Sequence, residues 1–506
     1  MKIHHIGHAS YFFETTNKRI IMDPLFFDPF EEGANVSYPQ RTVDIGRFPA
    51  IDIIIISHRH FDHFDLRTLS LFDRNIPCVI PQGDEMIRKG LHILGYKHIR
   101  EVDAGTRIKI GATIMTFTPS NVPFPEMGVI IQDDMAKVWN CVDAVIDQEI
   151  VKEFINVSGK IECILATYNP LIQFELRSNQ QHLFPFERYK NLVENVVAAS
   201  PRIVVPSACG LRYPIGSWQN HLGFPMTPQR FMNDIASIDS SLECLRLFPG
   251  DVLEINAGEY HYSPGNASYI SCDHQKSADC AEWNPDPSIG IDTFSDLNPL
   301  GHSAKDIVKR AKHYIEEIFL ADLETPECQQ LLETLRQWRV KWQLDLYAPP
   351  LKNTGEMRED AHSPYDDFSV VCPKKPEVTC EILSALRRTS PERGLSGPIH
   401  SWLLDFSQSS LQWSSEPIGF INLHTAIAAS GIVDALDGNI TYYNFCFTDR
   451  FRFSQRVYLA QSSGMSTPEQ SLEEPLSTVL ALHYDFDMLY VQNKALYWLN
   501  HDPIRS

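Results

Sequence analysis

The chain has 506 residues, 43% of them hydrophobic, enough for two or three folded domains with sizeable cores. Its 64 acidic and 44 basic side chains give a formal net charge of −20, which argues against a nucleic-acid backbone as partner and against docking on an anionic membrane. The 11 cysteines are scattered and odd in number, and most sit in apolar contexts such as Pro77-Cys78-Val79-Ile80, so they read as reduced core thiols and not as a disulfide framework.

The chain opens Met1-Lys2-Ile3-His4-His5, without the apolar core of roughly 7–15 residues that a secretory leader needs. No run reaches the ~18 apolar residues of a membrane span, and a soluble, cytoplasmic protein is expected. Short apolar strands are predicted at 2–6, 10–14, 19–22, 53–56, 77–80, 107–117, 128–132, 137–142, 161–166 and 202–205. Helices are predicted at 66–72, 84–93, 187–199 and 228–238, the last with Thr227 as N-cap and Pro228 in its first turn. This alternation implies an α/β (α+β) architecture over residues 1–260, a four-layer αβ/βα sandwich with its functional loops along one sheet edge.

Beyond residue 260 the pattern changes. Residues 262–303 are rich in Ser, Pro, Asp, Gly and Asn and read as an irregular excursion. A helical stripe follows at 304–321, and a second helix is predicted over 325–345 from Leu331, Leu335, Trp338 and Trp342. Together, 261–366 form a helical connecting region. Residues 367–506 read as a smaller C-terminal α+β domain whose segment Ile440–Thr448 alternates as a strand does. Three roles are open for that domain: shaping a pocket, binding a carrier, or forming a homodimer.

The richest chemistry follows the apolar run Ile53-Ile54-Ile55-Ile56. There Ser57-His58-Arg59-His60-Phe61-Asp62-His63 places three imidazoles and a carboxylate at the end of a buried strand. That turn can aim two pairs of donors at two adjacent metal ions, and the mixture of nitrogen and oxygen ligands suits a dinuclear site.

This motif is identified as that of the metallo-β-lactamase superfamily. The opening Ile6-Gly7-His8-Ala9-Ser10-Tyr11-Phe12 resembles its UlaG-like branch, and Arg19-Ile20-Ile21-Met22-Asp23-Pro24 resembles the second strand, whose Asp supports the metal loop. The resemblance covers about residues 1–260 and leaves the reaction open, because many chemistries share the scaffold. It implies three further ligands. The loop from Thr116 to Met127, where a hydrolytic member carries a third histidine, holds no His, and its one strong donor is Glu126. A carboxylate there shifts preference from zinc toward iron or manganese. Asp143 fits the bridging carboxylate, with Asp147 in reserve. The last ligand falls to His221, with His182 in reserve. His8 is open between supporting the metal loop and capping its own strand, and Asp23 is expected behind the ligands.

Pro125-Glu126-Met127, Val142-Asp143, Pro201–Pro206 and Phe248–Ile255 are similar to the CMP-N-acetylneuraminic acid hydroxylase-like, diiron oxygenase branch. Cys272-Asp273-His274 has no Cys-x-x-His downstream to complete a Rieske centre, so the likeness is to the part without that domain. This branch implies two Fe ions held by His58, His60, Asp62, His63, Glu126, Asp143 and His221, and O2 as co-substrate. It also implies an external electron donor, a ferredoxin or reductase, and a small-molecule or carrier-bound substrate. The alternative is a dinuclear Zn or Mn hydrolase, a lactonase or phosphodiesterase. Arg212, Tyr213 and Trp218 are open between pocket lining and packing.

Overall fold

A computed structural model describes residues 1–171, 184–213, 219–272, 294, 296–349, 398–407, 412–414, 421, 423–448, 450–455 and 475–504. Two sheets face each other in the first half. The first runs Glu259–Ser263, Val252–Asn256, Lys2–Gly7, Ser10–Glu14, Arg19–Met22, Ile53–Ile55, Cys78–Pro81, Ile99–Val102. The second runs Glu243–Cys244, Ile203–Ser207, Cys163–Thr167, Lys137–Asn140, Met127–Gln132, Thr113–Pro119, Arg107–Ile110.

Alternation explains why they stack. Ile3, Phe13, Ile20, Met22, Ile53 and Ile55 of the first sheet meet Met115, Phe117, Val129, Ile131, Val138, Leu165 and Val205 of the second in one core. The opposite faces are apolar too. Phe12, Ile21, Ile54 and Ile80 pack beneath helix Glu85–Leu94, and Ile130, Trp139, Ile164 and Val204 pack beneath Phe186–Ala199 and Pro228–Ile238. The result is the four-layer αβ/βα sandwich. Local signals set its helices: Asp84 accepts from Met86 N and Ile87 N, and Thr227 from Arg230 N, each an N-cap on an otherwise orphaned amide.

Several expected elements differ. The strand expected over 107–117 is a hairpin, Arg107–Ile110 and Thr113–Pro119, turned at Gly111 with φ +63°. The helix expected over 325–345 ends at Gln337. Arg339 takes φ +49°, and the chain enters strand Lys341–Tyr347. That strand is the centre of a third sheet, between His400–Asp405 and Leu423–Ala428, and Trp342, Leu344 and Leu346 become its core side chains. The strand expected over Ile440–Thr448 is instead helix Tyr442–Phe447, N-capped by Thr441.

These differences redraw the division of the chain. Helix Ala304–His313 and strand Lys341–Tyr347 share one core with Leu423, Ile427, Ile432, Phe445 and Phe486, so the expected boundary at 366 runs through a single unit. The last helix, Phe486–Asn500, returns to the first half. Its Tyr490, Val491 and Ala495 complete the outer layer on helix Glu85–Leu94. Gly90 permits that approach, because a Cβ there would lie 2.6 Å from Phe64 and 3.1 Å from Val491. Arg67 donates to Pro503 O at 2.9 Å and anchors the helix end. Among the described residues no helix is long and apolar enough to cross a membrane.

Candidate metal centre

The parallel strands deliver the site. Strands Arg19–Met22 and Ile53–Ile55 of the first sheet and Lys137–Asn140 of the second lead into the site, and Asp23, Ser57–His63 and Asp143 follow them. Non-glycine residues in the left-handed region gather along this edge: His8, Asp23, Val142, Ala208 and Cys209, with φ between 48° and 57°. Each such residue costs on the order of 1–2 kcal/mol, and clustered strain of this kind marks places where side chains are aimed at a task.

Asp23 organises the cluster. It is fully buried, and its carboxylate accepts from Ser57 N and Ser57 Oγ, both at 2.7 Å, and from His63 Nδ1 at 3.0 Å. The Ser57 hydroxyl proton is thereby committed to Asp23, so at 2.9 Å it is His58 Nδ1–H that donates to Ser57 Oγ. One carboxylate therefore assigns both tautomers: His58 and His63 carry their protons on Nδ1 and turn Nε2 lone pairs inward.

Those lone pairs face other donors. His58 Nε2 lies 3.0 Å from His60 Nδ1, and His63 Nε2 lies 3.2 Å from Asp143 Oδ2 and 3.6 Å from Asp62 Oδ2. His63 Nε2 is buried without a hydrogen-bond partner, and so is Glu126 Oε1. Donor atoms converging on one another, with buried atoms left unpaired, are what a bound cation resolves. Two compact groups result, His58–His63–Asp143 and His8–Asp62–His63, each with its donor atoms within 4.8 Å of one another.

The electrostatics agree. Burial, with His63 and His60 close by, holds His58 well below the usual imidazole range, and burial lowers His60 as well. Burial alone would lower His63, but Asp62, Asp143 and Asp23 outweigh it and hold it well above. Burial would raise Asp62, but His63 and His8 pull it down, and His63 does the same for Asp143. Burial, reinforced by Asp143, pushes Glu126 up to about 7. Neutral His58 and His60 beside ionised Asp62 and Asp143 suit a divalent ion, which would take the place of the proton that the aspartates hold on His63.

Other expected residues fall differently. Glu126 approaches His58 on the Nδ1 side, at 3.8 Å, and stands beside both compact groups, not inside either. Asp147 is exposed, accepts from Asn121 Nδ2 at 2.8 Å and precedes helix Gln148–Ser158, so it takes no part in the cluster. His221 lies in the short helix Gln219–Leu222 and its side chain is outside the described residues, as are His182 and Trp218. Arg212 stacks on Tyr38 and Phe224, a packing role.

Three contributors escaped the sequence reading. Ser57 relays Asp23 to His58, and its place just before the motif was the available signal. Phe124 covers His60 at a ring distance of 5.0 Å. Tyr443, from the C-terminal unit, donates its hydroxyl to Tyr213 at 3.1 Å, while neighbouring Asn444 donates to Glu31 O at 2.7 Å. Nothing local in the sequence points to these last two contacts, which join residues more than 200 positions apart.

Residues 2–122 match the family model described as the β-lactamase superfamily domain. The sandwich half, which holds those residues, has a metallo-β-lactamase fold. The match lies on the strands and motif that build the site, and the second sheet and outer helices complete the sandwich. An uncharacterized protein of Mycobacterium tuberculosis is 31% identical over 83 residues, which cover 15% of this metallo-β-lactamase-fold chain and 22% of that protein. The chain therefore aligns with about a fifth of that relative's length. Among solved structures, the diiron β-hydroxylase CmlA of Streptomyces venezuelae matches with TM-score 0.34 and 15% identity, covering 49% of this chain and 52% of that one. An isothiocyanate hydrolase from Delia radicum gut bacteria matches with TM-score 0.36 and 14% identity, covering 51% and 100%.

Proposed function

We propose that this protein is a non-haem diiron oxygenase, a hydroxylase that inserts one oxygen atom from O2 into a C–H bond of a small-molecule or carrier-bound substrate. The observation that carries this reading is Glu126, a buried carboxylate with one oxygen unpaired, beside His58 where a hydrolytic relative would carry a third imidazole. A hard oxygen donor there favours iron or manganese over zinc.

His58, His60 and Glu126 would hold one ion, Asp62 and His63 the other, with Asp143 between them and His221 as the remaining expected ligand. Two bound irons supply O2 activation. The reaction balances as R–H, O2, two electrons and two protons giving R–OH and water, so an external ferredoxin or reductase must deliver the electrons. The chain's own part is positional. Asp23 fixes the inward lone pairs of His58 and His63, and Phe124 covers His60.

One observation favours a second reading, a dinuclear zinc or manganese hydrolase: the compact group His58–His63–Asp143 forms without Glu126. Elemental analysis of protein expressed with iron and zinc both available separates the two. About two irons per chain, with reductant-dependent O2 uptake, is the expected result. One or two zincs with negligible iron sinks the oxygenase. In Glu126→Ala, iron content and O2 uptake should collapse together, whereas a hydrolase would keep zinc at its remaining ligands.

A further inference from the structure

We propose that His8 is a ligand of the second metal ion, the one held by Asp62 and His63. The inference rests on the dinuclear reading above and extends it to a residue in the turn between the first two strands.

The spacing of donors comes first. His8 Nε2 lies 3.0 Å from Asp62 Oδ2, and Asp62 Oδ2 lies 3.6 Å from His63 Nε2. Nitrogen and oxygen donors sit about 2.0–2.2 Å from a divalent ion, so neighbouring donors on one ion stand roughly 3–3.5 Å apart. All three donor atoms fall within 4.8 Å of one another. Asp143 Oδ2, 3.2 Å from His63 Nε2, belongs to the neighbouring group, and His63 links the two positions.

The backbone comes second. His8 has φ +51°, a conformation that costs a residue with a side chain on the order of 1–2 kcal/mol. It is enforced from outside: a Cβ on Gly210 would lie 2.6 Å from His8 Cα and 2.7 Å from its nitrogen, so only glycine at 210 lets the turn sit here. The ring is 4% exposed, stacked toward Phe30 and edge-on to His63 at 5.2 Å. Its Nδ1 is buried without a partner, so Asp62 is the one side chain that orients its ring nitrogens, and none pulls the ring away from Asp62. A residue that merely capped its own strand would turn its ring to backbone atoms. This one turns to a metal-site carboxylate.

The test is a Co(II) titration of chelator-stripped protein, followed by visible absorption and by competition with a chromophoric chelator. Wild type, His8→Gln, His8→Asn and His221→Ala are compared. Asn tolerates the left-handed backbone, and Gln keeps a hydrogen-bond donor for Asp62 without an imidazole. Wild type should bind two ions. Both His8 variants should keep the first and bind the second more than about 100-fold more weakly, beyond the loss usual for a supporting residue. His221→Ala removes the other expected ligand, so its loss of affinity is the reference for losing a ligand, and it is loaded with excess Co(II). Second-site affinity within tenfold of wild type in His8→Gln overturns the proposal and leaves His8 a hydrogen-bond donor. Fewer than two ions in wild type sinks the dinuclear reading itself. Should neither His8 variant fold, strongly shifted exchangeable ring N–H signals are counted by proton NMR in Co(II)-loaded His221→Ala. Four signals place His8 on the metal, and three remove it.

Discussion

Both halves of the molecule bury charge, and they treat it differently. In the third sheet, His424 Nε2 meets Asp345 Oδ2 at 2.9 Å across paired strands, and Asp434 meets Arg450 and His302, each at 2.6 Å. Asp296 accepts from Ser430 N at 2.9 Å at the start of a helix. These groups end on one another, as structural polar pairs do. At the edge of the sandwich, by contrast, Glu126 Oε1 has no hydrogen-bond partner, and His63 Nε2 stands between Asp143 and Asp62 without a well-formed hydrogen bond to either. Buried charge that is internally paired holds a fold, and buried charge that converges without pairing awaits a cation. The two halves still meet, through Tyr443 on Tyr213 and the last helix on Glu85–Leu94.

The largest test of that contrast removes a core side chain from the paired half. Trp342 is fully buried, and its indole N–H donates to Thr425 at 2.9 Å. Trp342→Ala should destabilise the protein by about 3–5 kcal/mol in thermal or denaturant unfolding while leaving metal content at the wild-type level. Parallel loss of metal would show that the halves act as one unit and break the comparison. Next comes Asp23→Asn, which keeps a residue suited to φ +48° but cannot serve His58 and His63 as acceptor together. Metal affinity should fall about 10–100-fold with little change in unfolding of the apo protein. An unchanged metal affinity would mean that Asp23 supports only the fold. The smallest effect is on pH dependence. Burial would raise Asp345, but hydrogen bonding to His424 holds it below its ordinary value near 3.8. A depressed carboxyl stabilises the folded state above its unfolded pKa, and that contribution is lost as pH falls through the lower folded value. Denaturant unfolding of Asp345→Asn between pH 5 and pH 2 should therefore lack part of the wild type's acid sensitivity, and parallel curves for the two proteins would refute the pairing.

Local order was legible where one rule dominated. Ile53–Ile56 followed by His58, His60, Asp62 and His63 declared a strand and a candidate metal loop, because strand, turn and candidate ligands are contiguous. Thr227 declared a helix start, because a cap acts over three residues. The segment 440–448 misled, because its short apolar run fits either period and Thr441 decided it as an N-cap. Trp342 misled as well. Its spacing from Trp338 suits a helix, but the sheet between 400–405 and 423–428 took it as a central strand.

The amino-acid pattern alone specified the alternating strands and the candidate donors of the motif, since these depend on residues close in the chain. Only the tertiary structure decided the rest. It sent Lys341–Tyr347 to the middle of a sheet, brought helix Phe486–Asn500 back onto Glu85–Leu94, and set His8 beside Asp62 and Asp23 behind both inward-facing rings. Those placements join residues 34 to several hundred positions apart. They are chosen by which apolar faces remain to be buried and which polar atoms remain to be satisfied, and no local pattern records either.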